Sequence, residues 1–145
     1  MAGLGIDDVF PKVISARTHA VIDYIHAGTN FLAAALFRRR NSRASGAAFA
    51  LGVGVLANAL MTDYELGVFR LYSFKVHGML DYGVAATSAA MPALLGIQES
   101  AEARYFHAQG IGETAIAGIS DYDDNSGARR YKTSNVRQFR SRRVA

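Results

Sequence analysis

The stretch "ASGAAFALGVGVLANALMT" (44–62) contains no charged residue. An α-helix rises about 1.5 Å per residue, so about 20 residues cross a hydrocarbon layer of about 30 Å. A helix on the surface of a soluble protein carries a charged or polar stripe on its outer side. This stretch has no charged stripe, and its Gly and Ala residues suit close helix contact in lipid. It predicts a membrane-spanning helix. The competing reading is an alanine-rich soluble four-helix protein, and the missing stripe argues against it.

The surrounding sequence is partitioned in the same way. Charges crowd into residues 38–43, 63–75, 99–104 and 121–145, and the stretches between are nearly charge-free. This spacing predicts four helices, over about 16–38, 44–62, 73–96 and 101–120. The first three are long enough to span. The fourth, "RYFHAQGIGETAIAGIS" (104–120), is weakly apolar and would not be read as a span alone.

A repeat decides the fourth helix. Sliding the chain by 58 positions places Ser15 on Ser73, His19 on His77, and Asp23-Tyr24 on Asp81-Tyr82. Gly52 and Gly54 fall on Gly110 and Gly112, and "MTDYE" (61–65) falls on "ISDYD" (119–123). The predicted fold is all-α: a four-helix transmembrane bundle of two parallel helical-hairpin repeats with an extended basic C-terminal tail. The expected divisions are an N-terminal segment (1–14), hairpin 1 (15–65), a linker (66–72), hairpin 2 (73–123) and the tail (124–145). Helix 4 must then do what helix 2 does.

The residues of "TDYELGVFRLYSFKVHGMLDYG" (62–83) carry a resemblance. Thr62, Asp63, Tyr64, Leu66, Gly67, Arg70, Val76, His77, Leu80 and Asp81 match a T-D-Y-x-L-G-x-x-R linker leading into V-H-x-x-L-D. The chain resembles the SPW-repeat family of small bacterial membrane proteins over roughly residues 14–122. It departs at the Ser-Pro-Trp motif itself. Met91-Pro92-Ala93 and Ala33-Ala34-Ala35 stand there, and the chain has no tryptophan. The resemblance implies a four-helix membrane fold and carries no established activity.

Four spans put both ends of the chain and the central linker at one membrane face. His19, Asp23, Tyr24, Asp63, Tyr64, His77, Asp81, Tyr82, Asp121 and Tyr122 then form a structural polar cluster at that face. Parallel repeats imply a pseudo-twofold axis along the membrane normal. His and Asp four apart share a helix face. The expected role is an interhelical clamp, with His of one helix bonding the terminal Asp of another and Tyr at headgroup level. A second role is a divalent metal site using His19, Asp23, His77 and Asp81, since imidazole with carboxylate suits Zn, Fe or Mn.

The copies differ deeper in. His19, Asp23, His26 and Asn30 form one stripe on helix 1, but the matching helix 3 residues are His77, Asp81, Val84 and Ser88. Helix 4 carries Glu113 where helix 2 has Val55. His26 and Glu113 lie at similar depth, about 10–12 Å inside the face by helix rise. Ionisable groups inside a membrane pair and face inward. The expectation is that His26 and Glu113 meet, with Asn58 nearby.

Other features exclude functions. The chain has no cysteine, which removes disulfides, thiolate sites and cysteine catalysis. "GVG" (52–54) and "GIG" (110–112) lack the strand and spacing of a nucleotide loop. "DYDDNSG" (121–127) places Ser126 where a calcium loop needs glycine. "MAGLGIDDVFPK" (1–12) lacks the basic and apolar regions of a signal peptide. The net charge of +4 comes mostly from the tail residues Arg129, Arg130, Lys132, Arg137, Arg140, Arg142 and Arg143. Such a tail suits acidic lipid or a protein partner.

The expected function is a non-enzymatic scaffold or accessory subunit of a membrane complex, docking through that tail. Its expected partners are membrane lipid and other protein subunits rather than nucleic acid. The expected location is the bacterial cytoplasmic membrane. Eleven basic residues flank the terminal side against five opposite, which puts the termini in the cytoplasm. No cofactor is expected. The alternatives are a haem, chlorophyll or metal subunit using His19, His77 or His26, and a proton or solute conductor using His26 and Glu113.

Overall fold

The computed structural model describes residues 10–124. Four helices occupy most of them: α1 (Ala16–Phe37), α2 (Ser42–Met61), α3 (Phe74–Leu95) and α4 (Ala101–Ile119). A helix start leaves backbone N–H groups without partners, and a polar side chain just before it can accept from one. Ser15, Asn41, Ser73 and Ser100 do so, accepting from the N–H of Thr18, Ala44, Val76 and Ala103. Gly96 ends α3 in the left-handed conformation, φ 65°, which costs glycine little.

Two short parallel contacts tie helix ends to helix starts. β1 (Thr62–Asp63) pairs with β2 (Tyr72–Ser73), in register Thr62 with Tyr72. Ile14 pairs with Ser120 in the same sense. The end of α2 is thus fixed to the start of α3, and the end of α4 to the start of α1. The 66–71 segment folds tightly between β1 and β2. Gly67 has no side chain because a Cβ there would stand 1.8 Å from the Thr62 carbonyl oxygen.

α1 packs along α2, α3 along α4, and α2 meets α3. Small residues set the spacing. Ala16, Ala20, Ala44, Ala48, Ala59 and Ala103 are almost wholly buried. A Cβ on Gly52 would lie 2.8 Å from the Phe31 ring, and one on Gly110 would lie 2.9 Å from the Ala85 carbonyl oxygen. Both glycines let a neighbouring helix come closer than alanine allows.

Among the described residues, α1 and α2 are long and apolar enough to cross a membrane. α3 has the length, 22 residues, but it carries Lys75, His77 and Asp81. Large apolar side chains lie on the outside as well as in the core, and several polar groups are buried. Ile25, Leu32, Leu36, Phe49, Met79, Leu94 and Ile111 face outward, while His19, Asp23, Asn30, His77, Asp81 and Ser88 are buried.

Candidate functional site

The buried polar groups converge on two histidines. His19 lies in the first turns of α1 and His77 in the first turns of α3, and each is at most 1% exposed. Their Nε2 atoms are 3.1 Å apart. His19 Nε2 is 3.3 Å from Asp23 Oδ1 and 3.2 Å from Asp81 Oδ2. His77 Nε2 is 3.2 Å from Asp23 Oδ2 and 3.1 Å from Asp81 Oδ1. Each carboxylate therefore straddles both rings, and each ring meets one carboxylate from its own helix and one from the other helix.

The outer nitrogens of the rings are fixed by hydroxyls. His19 Nδ1 lies 2.7 Å from Ser120 Oγ, and His77 Nδ1 lies 2.7 Å from Thr62 Oγ1. Ser120 Oγ already donates to the Ile116 carbonyl at 2.7 Å, and Thr62 Oγ1 donates to the Asn58 carbonyl at 2.6 Å. A hydroxyl has one hydrogen to give. Each must therefore accept from the ring, so both rings carry hydrogen on Nδ1. Their Nε2 atoms are the ones turned towards the carboxylates.

The carboxylates are held in turn. The Tyr64 hydroxyl donates to Asp23 Oδ2 at 2.9 Å, and the Tyr122 hydroxyl donates to Asp81 Oδ2 at 3.2 Å. Asn58 Nδ2 donates to Asp81 Oδ1 at 3.1 Å. Tyr64 and Tyr122 lie outside the helices. Burial first, and then the adjacent carboxylate charge, pushes both phenols well above their ordinary range. They stay protonated and keep donating. Phe74 packs against both histidine rings and both tyrosine rings, which surrounds the polar centre with aromatic surface.

Chemically, this arrangement can act in two ways. Protonated rings can be clasped by two carboxylates. Alternatively, neutral rings and carboxylates can direct lone pairs at a cation, and His19, Asp23 and His77 offer donor atoms all within 4.8 Å of one another.

Not every residue expected at this face joins the cluster. His19, Asp23, His77, Asp81, Tyr64 and Tyr122 meet. Tyr24 instead donates to the Leu66 carbonyl, and Tyr82 is exposed. Asp63 faces Arg70 at 3.5 Å, and the Asp121 carboxylate accepts from the Asp123 N–H. The expected bond from His to a terminal Asp is replaced by bonds to Thr62 and Ser120. The reason is extended backbone. Successive residues of a strand point to opposite sides, so Thr62 turns inward and Asp63 outward. The signal was present in the repeat, where Thr62 and Ser120 align, but the conspicuous Asp-Tyr pairs beside them overshadowed two hydroxyl residues.

The deeper asymmetry also takes definite form. His26 Nδ1 lies 2.8 Å from Glu113 Oε2, joining α1 to α4. Further along the same seam, Gln109 donates to the Tyr105 hydroxyl at 2.7 Å, which donates to Asn30 Oδ1 at 2.9 Å. A cavity of about 200 Å³ lies beside His26, Thr29, Gln109 and Glu113. Asn58 lies elsewhere: it bonds Asp81 and accepts from the Tyr72 hydroxyl at 2.6 Å. The basic tail residues Arg129 to Arg143 fall outside the described residues.

Comparison with protein-family models, with curated proteins and with solved structures finds no match.

Proposed function

We propose that the chain is a non-enzymatic integral membrane protein. In this reading, two copies of one helical hairpin pack as a four-helix transmembrane bundle. The histidine–aspartate cluster clamps the copies together at one membrane face. The protein serves as a scaffold or accessory subunit of a larger assembly in the bacterial cytoplasmic membrane. The observation that carries this is the placement of polarity: large apolar side chains face outward while His, Asp, Asn and Glu are buried. In water, that arrangement would expose apolar surface to solvent and hide the groups water solvates best. In lipid both terms change sign. The contacts that recur 58 residues apart, Thr62 with His77 and Ser120 with His19, support the repeat. Leu66, one of the linker residues that carry the SPW-repeat resemblance, packs against the cluster that holds Tyr64.

Two measurements test it. The protein should stay in the membrane pellet through alkaline carbonate extraction. The chain has no cysteine, so single cysteines placed at Arg40 and Glu65 can be labelled with an impermeant maleimide. They should react from opposite sides of sealed vesicles. Release into the supernatant, or labelling of both positions from one side, sinks the four-span reading. For the accessory role, native electrophoresis in mild detergent should show the chain migrating with other subunits, and a lone monomer would count against it.

A further inference from the structure

We propose that the clamp is a metal site: His19, His77 and Asp23 hold a divalent first-row transition ion, and Asp81 is the second carboxylate on the same two rings. This rests on the clamp reading above and adds an occupant to it.

The two Nε2 atoms are turned towards each other. Both Nδ1 atoms are committed as donors to hydroxyls that have already given their hydrogen to a helix carbonyl. Both Nε2 atoms therefore face each other across 3.1 Å. Without a cation, that contact sets lone pair against lone pair, or N–H against N–H, unless the two nitrogens share a single hydrogen. A metal ion to one side of the pair is an occupant that two imidazole lone pairs and a carboxylate all favour.

The distances fit such an ion. Metal–ligand bonds of about 2.0–2.2 Å, at tetrahedral or octahedral angles, separate neighbouring donors by roughly 3.0–3.4 Å. The nitrogen–nitrogen and nitrogen–oxygen separations here run from 3.1 to 3.3 Å. Nitrogens 3.1 Å apart are in contact, so an ion bound to both would lie to one side of the line joining them, towards Asp23, and no porphyrin or chlorophyll ring fits between them.

Charge allows the same occupant. Two carboxylates, each at most 3% exposed, carry two negative charges into a low-dielectric interior. A divalent ion with neutral imidazoles cancels them, as two protonated rings also would, and either removes most of the cost of burying them.

The surroundings are those a metal ligand needs. A ligating histidine gives its other N–H to a fixed acceptor, and a ligating carboxylate accepts further hydrogen bonds; both orient the donor atoms. Here the acceptors are Ser120 and Thr62, and the donors are Tyr64, Tyr122 and Asn58. Imidazole and carboxylate without thiolate select Zn²⁺, Fe²⁺ or Mn²⁺. The rings of Phe74, Tyr64 and Tyr122 enclose the centre, which marks a structural ion joining α1 to α3.

The test uses the full chain in mild detergent. Elemental analysis of protein purified without chelator should find about one transition-metal equivalent per chain. EDTA-stripped protein should take up one equivalent of Co²⁺, with visible d–d absorption, and its Tm should rise on Co²⁺ or Zn²⁺ addition. His77→Ala should abolish uptake. Because that variant also removes a buried side chain on which folding depends, Thr62→Val and Ser120→Ala provide the second arm. They keep every ligand and remove only the acceptors that aim them. Co²⁺ affinity should fall about 10- to 100-fold with helical circular dichroism unchanged. A folded, stripped wild-type chain that binds neither Co²⁺ nor Zn²⁺ overturns the metal and leaves a hydrogen-bonded clamp. Wild-type affinity in both hydroxyl variants overturns the site as drawn. Loss of the protein from carbonate-washed membranes overturns the membrane setting instead, so the two failures are distinguishable.

Discussion

Gly78 and Tyr122 show how one side chain's absence positions another. A Cβ on Gly78 would lie 2.5 Å from Cε1 and Cζ of Tyr122, in the ring whose hydroxyl reaches Asp81. The residue 58 positions earlier is Ala20, which is buried. The α3 backbone is fixed by its helix, so in Gly78→Ala the ring must move and its bond to Asp81 must break. Overpacking of this kind costs about 1–3 kcal/mol. We expect Gly78→Ala to lower the unfolding midpoint in detergent. Ala20→Gly removes no clash and should cost about 0.5–1 kcal/mol, the ordinary helix penalty. Equal effects at the two positions would mean that Tyr122 is not held by Gly78.

At the scale of elements, the two seams between the helix pairs differ. α2 and α3 carry Val55 and Val84 at the positions that in α4 and α1 hold Glu113 and His26, which are in contact at 2.8 Å. Both residues are at most 10% exposed. Removing one partner of a buried ion pair leaves the other without compensation, at about 3–5 kcal/mol. Replacing both with apolar residues is often nearly neutral. The prediction is a non-additive cycle. His26→Val and Glu113→Val should each destabilise the protein strongly, and the double change should recover most of the loss. Additive single effects, read from chemical unfolding in detergent, would show that the pair carries no coupling.

For the whole molecule, the clamp joins four helix ends in one network, so its protonation should set global stability. Tyr64 and Tyr122 titrate above the ordinary value of about 10 in the folded chain. Below that value both phenols are protonated whether the chain is folded or not, and stability is unaffected. As pH rises past about 10, the unfolded chain releases these protons while the folded chain keeps them, so stability is lost. We expect Tm to fall progressively between pH 10 and 11. The Tyr64→Phe, Tyr122→Phe double variant should start lower at neutral pH and give a flatter alkaline profile. An unchanged slope in that variant would assign the alkaline loss to other groups.

The order of the four helices was legible in the sequence because it depends on local terms. Charge-free runs placed the four helices to within a few residues of their observed bounds. The offset of 58 residues also brought His19, Asp23, His77 and Asp81 under one reading, since i and i+4 share a helix face. The tertiary structure decided which neighbours those residues have. Asp63 and Asp121 turn outward because two residues of extended backbone follow each helix, and that alternation hands the inner position to Thr62 and Ser120. It also decided that each carboxylate spans both rings, a relation between helices more than fifty residues apart. Periodicity within one helix carries no information about such a contact, because the distance between two helices is set by the small residues packed between them.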